Sequence, residues 1–312
     1  MNILLCTDNS YIQHCGTTIV SVLRNNKNVS VYIFSTDITE ESKQILRALV
    51  ESYYSTIEFI LIENELIRDF PMSKEASNHI SLATYFRLFV EVKLPGSVDK
   101  ILYLDSDIIV RHSLKELWET NIENYALAAV YQYNEWALGN ETFKRLNYPE
   151  DAGYFNAGVL LINLKYWRNN DVSQRLLSFI NRFYENIVSH DQDTLNAVLF
   201  KEVYPLECNW NFLPFFLEET LSGYSFPRNL QYKKQVKENI ADPSIIHFVY
   251  KPKPWEYGCT HVWRSEYYYY LNFTPWKGWK PQFNFNSFLI NIFIPKLLSY
   301  RRMVLNVIKN NK

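Results

Sequence analysis

The sequence predicts an α/β fold with a mostly parallel sheet, followed by an irregular segment and a basic C-terminal tail. Over about the first 200 residues, short apolar runs alternate with longer helical patterns, which is typical of βαβ units. Of the 312 residues, 47% are apolar and 21% are charged, so the chain can bury a sizeable core. Beyond about residue 205 the periodicity weakens, and Pro, Trp and Tyr accumulate. We therefore expect one core domain with an appendage.

The individual elements follow from the spacing of the apolar residues. Short β-branched and aromatic runs bounded by polar residues predict strands at 2–7, 29–35, 56–62, 100–104, 126–131, 157–162 and 244–249. Apolar residues that recur at helical spacing predict helices at 13–25, 39–53, 80–91, 173–187 and 191–200.

Composition excludes several classes of protein. The formal net charge is −1, from 32 basic and 33 acidic residues, so a globally basic nucleic-acid-binding surface is not expected. The chain has eight glycines and neither GxGxxG nor GxxxxGK[ST], which argues against dinucleotide-binding and P-loop sites. The four cysteines lack CxxC spacing, no secretory leader opens the sequence, and no apolar run approaches the ~20 residues of a membrane-spanning helix. These features predict a cytoplasmic protein with reduced thiols.

All charged side chains near the end of the sequence are basic. Residues 267–312 hold seven basic and no acidic side chains. On a helical wheel, 296–309 has a broad apolar face interrupted only by Arg301, which is typical of a helix that lies on anionic lipid. A helix docked on its own core is the alternative, but docking does not require one-signed charge. We expect a core domain at 1–275 and a membrane-associating tail at 276–312.

Two acidic residues follow the predicted strand KILYL. Because ligands of open α/β sheets bind beyond the carboxyl ends of strands, Asp105 and Asp107 lie where a site is expected. Two neighbouring carboxylates favour a hard divalent cation such as Mg²⁺ or Mn²⁺. The alternative is a pair of solvated loop acids.

Polar residues also follow the first predicted strand. Asp8, Asn9, Ser10 and Tyr11 could hydrogen-bond and stack on a nucleoside, and they are equally typical of a helix N-cap.

Two further segments contain candidate site residues. In the segment HDQD, Asp193 is interpreted as a structural residue of the helix N-terminus, whereas Asp191 and Gln192 could project into a site. His247 lies in the apolar run SIIHFVY, as a core residue or as the nitrogen ligand of a mixed N/O metal site that Lys253 would adjoin.

The stretches YLDSDIIVRHSLKELW, YFNAGVLLINLKYWR, HDQDTLN, HFVYKPKPW and HISLATYFRL resemble bacterial family 8 glycosyltransferases of the lipopolysaccharide galactosyltransferase and glucosyltransferase type. The five motifs occur in the family's order and cover about residues 1–275. The resemblance implies a GT-A fold with a Rossmann-like nucleotide-sugar-binding sheet. It also implies retaining transfer of a hexose from UDP-glucose or UDP-galactose with Mn²⁺, or alternatively Mg²⁺, as cofactor.

The same resemblance implies roles for individual residues. The metal ligands would be Asp105, Asp107 and His247. The nucleotide would contact Thr7, Asp8, Asn9, Tyr11, His79, Ile80, Thr84, Arg87, Ser106 and Lys253. The donor hexose would contact Arg87, Asn156, Ala157, Asp191 and Gln192, of which Asp191 and Gln192 would act at the reacting carbon. Since the amide of Gln192 is a poor nucleophile, front-face transfer is favoured over a covalent intermediate.

Two positions depart from the family pattern. Tyr250 stands where the family usually has glycine before Lys-Pro-Trp, and Gln132 replaces an acidic residue common after the 126–131 strand. The expected acceptor is a saccharide or lipid-linked saccharide of lipopolysaccharide or capsule, used at the inner face of the cytoplasmic membrane.

Two other functions are weighed against this one. A haloacid-dehalogenase-like phosphohydrolase also has Asp-x-Asp after a strand, although its motif normally lies near the N-terminus. A non-catalytic nucleotide-sugar-binding protein is the second alternative, because Tyr250 and Gln132 depart from the enzyme pattern.

Overall fold

Two sheets organise the described part of this computed structural model, which comprises residues 1–71, 82–132, 141–217 and 230–293. The strands are β1 Asn2–Cys6, β2 Ser30–Ser35, β3 Thr56–Leu61, β4 Lys100–Leu104, β5 Ile108–Val110, β6 Leu127–Tyr131, β7 Phe155–Asn163, β8 Val203–Pro205 and β9 Ile245–His247. Seven of them form the larger sheet in the order β3-β2-β1-β4-β7-β6-β8, and β5 pairs with β9 in the smaller sheet.

Helices flank the larger sheet. The α-helices span Ile12–Asn25, Glu40–Glu51, Val90–Lys93, Lys115–Glu119, Thr142–Leu146, Leu164–Asn169, Val172–Arg182, His190–Leu199, Leu230–Asn239, Arg264–Leu271 and Phe285–Phe288. Single 3-10 turns lie at Asn9–Tyr11, Asn64–Leu66, Glu150–Ala152, Tyr184–Asn186 and Cys208–Trp210. A longer 3-10 helix spans Leu82–Phe89, and a π-helical segment spans Leu289–Phe293.

Strand direction determines which residues reach the functional edge of the sheet. Six strands run one way, and β7 alone runs antiparallel to its neighbours β4 and β6. The carboxyl ends of β1, β4 and β6 therefore meet the start of β7 at one edge. The predicted α/β class with a mostly parallel sheet is confirmed.

The central strands β1, β4, β6 and β7 are buried on both faces, which explains why they appear as continuous apolar runs in the sequence. In β7 the first eight of nine residues are buried. All seven predicted strands are present with ends shifted by at most two residues, whereas the three-residue strands β5 and β8 were not predicted.

The predicted helix 80–91 differs in type from the observed one. Its described part is a 3-10 helix over Leu82–Phe89, followed by one α-helical turn, Val90–Lys93. Because a 3-10 helix has three residues per turn, Thr84 and Arg87 project from the same side. This alignment brings both side chains to the candidate site.

Side chains of the helix Ile12–Asn25 hold β5 in place. The Thr18 hydroxyl donates to the Ile108 carbonyl at 2.8 Å, the Val110 N–H donates to Ser21 Oγ at 2.9 Å, and Asn25 donates to the Val110 carbonyl at 3.0 Å. Three backbone groups of β5 that do not face β9 are thereby satisfied. This anchoring fixes the small sheet, and His247 at the end of β9, against the core.

The predicted boundary at residue 275 falls within a packed region. Trp276 lies against Gly16, where an added Cβ would come 2.7 Å from the indole ring. The predicted tail helix 296–309 lies outside the described residues. Among the described helices, none has the length and hydrophobicity required to cross a bilayer.

We predict that Ser21→Ala destabilises the fold by about 1–3 kcal/mol, because it leaves the buried N–H of Val110 without its acceptor. Urea unfolding followed by circular dichroism measures the change. Ser97→Ala, at an exposed serine, is the matched control and should stay within about 0.5 kcal/mol of wild type. Equal stability of the two variants would contradict the anchoring role.

Candidate active site

A cleft of about 570 Å³ opens at the edge where the strand ends meet. Its floor is formed by residues after β1, β4 and β6 and by the first residues of β7. The helix His190–Leu199 and the 3-10 helix Leu82–Phe89 form one side. The segments 213–215 and 247–253 close the other side. The volume suits a small-molecule ligand, and polar side chains converge on it.

Three potential metal ligands meet on the floor of the cleft. One ligand atom each from Asp105, Asp107 and His247 lies within 4.8 Å of the others. Nε2 of His247 is 3.1 Å from Asp107 Oδ1 and 3.7 Å from Asp105 Oδ2. The Asp107 oxygen is buried, yet it accepts no aligned hydrogen bond from the described residues. Two carboxylates and one imidazole are a donor set that fits Mn²⁺ or Mg²⁺.

Lys253 lies directly beside this cluster. Its ammonium donates to Asp107 Oδ2 at 2.6 Å and to the carbonyls of Phe248 and Val249 at 2.5 and 2.9 Å. Burial acts to raise the pKa of Asp107, but Lys253 and His247 outweigh it and hold that pKa below its usual value. Asp107 is therefore ionised across the physiological pH range.

The absence of a side chain at Gly158 allows the cluster to form. A Cβ built there would lie 2.1 Å from His247 Cε1 and 2.8 Å from Asp105 Oδ2. Contacts under 3.0 Å require the neighbouring groups to move. The φ angle of Gly158 is not positive, so glycine is required here by the close approach of His247 and Asp105 alone.

Arg87 connects the group of three candidate metal ligands to the opposite side of the cleft. Its guanidinium contacts Asp105 Oδ1 at 3.1 Å and Asp191 Oδ2 at 2.8 Å, and it also donates to the Ala157 carbonyl. The Thr84 hydroxyl donates to the other oxygen of Asp191. Burial raises the pKa of Asp191 to about 6, and Arg87 and Thr84 offset part of this effect.

Gln192 is held by two N–H donors. Its Oε1 accepts from the Ala157 backbone N–H at 2.9 Å and from Asn156 Nδ2 at 3.3 Å. Asn156 also donates to Gln132 Oε1 at 3.2 Å. The structure thus brings Asn156, Ala157, Asp191 and Gln192 together in the cleft, and Gln132 joins them.

A buried ion pair positions the helix that carries Asp191 and Gln192. Both oxygens of Asp193 contact Arg145, at 2.7 and 3.1 Å, and they also accept from Tyr154 Oη and from the N–H groups of residues 188 and 189. The interpretation of Asp193 as a structural residue is confirmed. Arg145 carries no recognisable signal in the sequence, because its partner is known only once the fold is known.

The residues after β1 occupy two different places. Thr7, Asp8 and Tyr11 line the cleft, and Asp8 also caps the turn Asn9–Tyr11 by accepting from the N–H groups of Ser10 and Tyr11. Both interpretations of Asp8 are therefore compatible with its position. Asn9 does not line the cleft, since its Oδ1 accepts from the backbone N–H and the hydroxyl of Thr39.

The remaining predicted residues are distributed as follows. Ser106 lines the cleft beside the metal cluster, and Tyr250, 43% exposed, lies on its rim. His79 and Ile80 lie outside the described residues.

The cleft, the carboxylate pair and the imidazole make a comparison with known proteins informative. The sequence profile of the family described as "Glycosyl transferase family 8" matches residues 2–259. This chain belongs to glycosyltransferase family 8. The predicted resemblance is therefore confirmed.

Relatives and solved structures agree with this family assignment. General stress protein A of Bacillus subtilis is 30% identical over 282 residues, covering 88% of this chain and 94% of the relative. Lipopolysaccharide 1,3-galactosyltransferase of Salmonella typhimurium is 28% identical over 268 residues, covering 84% and 73%. The crystal structure of the galactosyltransferase LgtC with donor and acceptor sugar analogues is 25% identical, with a TM-score of 0.78 and coverage of 92% and 99%. The family 8 chain accordingly has the GT-A fold.

We predict that Gly158→Ala abolishes binding of Mn²⁺ at the cluster, because the added Cβ displaces His247 from the carboxylates. Isothermal titration calorimetry with Mn²⁺ measures the effect, and circular dichroism checks the fold. Gly96→Ala is the control, since a Cβ there meets nothing within 4 Å. Mn²⁺ affinity unchanged in the folded Gly158 variant would show that the three side chains do not share a cation.

Proposed function

We propose that this chain transfers glucose or galactose from a UDP-sugar to a saccharide acceptor with retention of the anomeric configuration. The observation that carries the proposal is the meeting of Asp105, Asp107 and His247 on the floor of the cleft. Thr7 and Tyr11 line one side of this cluster, and Asn156 and Asp191 line the other. Two relatives, a lipopolysaccharide 1,3-galactosyltransferase and the lipopolysaccharide glucosyltransferase WaaO of Escherichia coli, support a hexose donor.

The departing nucleotide accumulates negative charge as the bond from the anomeric carbon to the diphosphate breaks. Mn²⁺ held by Asp105, Asp107 and His247 would supply Lewis-acid stabilisation of that charge. Lys253 places a further positive charge beside Asp107. Groups aimed at charge that develops in the transition state lower the barrier more than they stabilise the bound donor.

The contacts of Gln192 favour front-face transfer. Its carbonyl oxygen is already used by the Ala157 N–H and the Asn156 amide, so it is not available as a nucleophile. In front-face transfer the acceptor hydroxyl attacks on the side from which UDP leaves, and its proton passes to the departing phosphate oxygen. Asp191 lines the cleft, and its buried Oδ2, which Arg87 contacts at 2.8 Å, has no aligned hydrogen bond from the described residues. In this proposal Asp191 accepts a hydrogen bond from a donor hydroxyl.

We predict metal-dependent release of UDP from UDP-glucose or UDP-galactose, and little from their N-acetyl forms. Asp107→Asn should lower turnover by about 100-fold or more, the scale expected when one electrostatic stabiliser is removed. A coupled assay for UDP measures the rate, and proton NMR at early times reports the anomer of the released hexose.

Asp69→Asn, at an aspartate 83% exposed, is the control and should keep the wild-type rate. A wild-type rate for Asp107→Asn would overturn the metal assignment. Binding of UDP without release of hexose would support the non-catalytic alternative, and turnover of simple phosphate esters without UDP-sugar turnover would support the phosphohydrolase.

We further propose that the chain works at the inner face of the bacterial cytoplasmic membrane on a lipid-linked saccharide of lipopolysaccharide or capsule. Several aromatic or apolar side chains between residues 269 and 293 are exposed, including Phe283 at 63%, Phe285 at 62% and Ile290 at 64%. Residues 294–312 add five basic and no acidic side chains. Exposed aromatic groups followed by positive charge favour binding to anionic lipid.

We predict that deletion of residues 294–312 strongly weakens binding to phosphatidylglycerol vesicles, because it removes five basic side chains, and leaves donor hydrolysis unchanged, because the cleft lies among the remaining residues. Co-sedimentation measures the binding. Phosphatidylcholine vesicles are the control for charge, and they should bind neither form. Undiminished binding of the shortened chain to anionic vesicles would refute the role of the tail.

A further inference from the structure

A series of hydrogen-bonded side-chain amides connects β7 to His247, one of the three candidate metal ligands. The Gly158 backbone N–H donates to Asn156 Oδ1 at 2.9 Å, and Asn211 Nδ2 donates to the same oxygen at 2.8 Å. Asn211 Oδ1 lies 3.0 Å from His247 Nδ1. Asn211 is fully buried, and nothing in the sequence singled it out. These hydrogen bonds thus connect the Gly158 N–H of β7 to the imidazole of His247.

The donor and the acceptor of each of these hydrogen bonds can be assigned, because the series begins at a backbone N–H. A backbone N–H can only donate, so the atom of Asn156 that faces Gly158 must be its oxygen. That oxygen can only accept, so Asn211 must turn its NH₂ group toward Asn156 and its oxygen toward His247. Nδ1 of His247 therefore carries the hydrogen in this arrangement.

A second backbone group supports the same orientation. Gln192 Oε1 accepts from the Ala157 N–H at 2.9 Å, which fixes the Gln192 amide independently. Asn156 donates its Nδ2 to that oxygen, as it must if its own oxygen faces Gly158. Two separate backbone donors therefore assign the same orientation to Asn156.

We propose that Asn211 is a positioning residue that holds His247 as its Nδ1–H tautomer and so directs the Nε2 lone pair toward the carboxylates. This inference rests on the proposed metal site. A lone pair 3.1 Å from Asp107 Oδ1 repels that oxygen unless a metal cation or a second ring proton lies between them. The ring nitrogen opposite a metal commonly donates to an oxygen acceptor that fixes the tautomer, and Asn211 Oδ1 is that acceptor.

The same amide chain connects the metal cluster to the donor-sugar side of the cleft. Asn156 receives the Asn211 amide and contacts Gln132 and Gln192. Loss of the acceptor oxygen at residue 211 should therefore affect the imidazole, whereas loss of the N–H donor should affect Asn156. The two functions of Asn211 can be separated by substitution.

The first test replaces Asn211 by leucine, which has similar size and neither donor nor acceptor. Long-range proton–nitrogen NMR of the metal-free protein reads the His247 tautomer, with His247→Gln used to assign the signal. We expect a hydrogen on Nδ1 in wild type and the Nε2–H form in Asn211→Leu, because Asp107 Oδ1 is then the acceptor left to the ring. Calorimetry with Mn²⁺ alone should show Kd raised about 10- to 100-fold.

Asn209→Leu is the matched control. Asn209 exchanges two hydrogen bonds with Ser244, at 2.9 and 2.7 Å, and belongs to the same segment as Asn211. Its loss perturbs local structure without removing the acceptor of His247. We expect the wild-type tautomer and Mn²⁺ affinity in this variant; a loss equal to that of Asn211→Leu would indicate a merely structural role.

The second test is Asn211→Asp, which keeps an oxygen opposite Nδ1 and removes the donor to Asn156. We expect the wild-type tautomer, Mn²⁺ affinity within a few-fold of wild type, and a raised KM for the UDP-sugar. An Nε2–H tautomer in the metal-free wild-type protein would overturn the proposal without reference to any variant. Because tautomer and Mn²⁺ affinity are measured without donor, they separate this inference from a failure of the proposed transfer reaction.

Discussion

The guanidinium of Arg87 forms ion pairs with two carboxylates that come from distant parts of the chain. Asp105 follows β4 and Asp191 lies on the helix His190–Leu199, and Arg87 is only 4% exposed between them. A buried charge without a partner costs several kcal/mol, so Arg87 offsets much of the cost of holding both carboxylates in the cleft. Arg87 thereby connects the candidate metal ligands to the helix that carries Asp191 and Gln192.

The sequence predicted the positions of Asp105 and Asp107 for a general reason. Acids that follow a buried parallel strand lie at the edge where ligands of α/β sheets bind, whatever the partners of the strand are. The direction of β7 could not be predicted in the same way. A strand buried on both faces has the same apolar pattern whether it pairs parallel or antiparallel, so the reversal that brings Asn156 and Gly158 to the site carries no local signal.

Other parts of the site lacked a sequence signal for related reasons. Asn211 and Arg145 are ordinary polar residues in the sequence, and their roles arise from partners 36 and 48 residues away. The strand β5 has only three residues, too few for a periodic pattern, and its backbone depends on hydroxyl groups of the helix Ile12–Asn25. Long-range polar contacts of this kind can be recognised only after the chain has folded.

The hydrogen bonds of Lys253 bear on how an anionic substrate is selected. All three N–H donors of its ammonium are directed at Asp107 and at two carbonyl groups of its own loop. Because Asp107 already pairs the charge, an incoming anion can gain a direct hydrogen bond from Lys253 only by exchanging one of these partners. Such an exchange would release Asp107 or one of the two carbonyls, so binding of an anion at this position would be coupled to the conformation of the loop that carries Lys253.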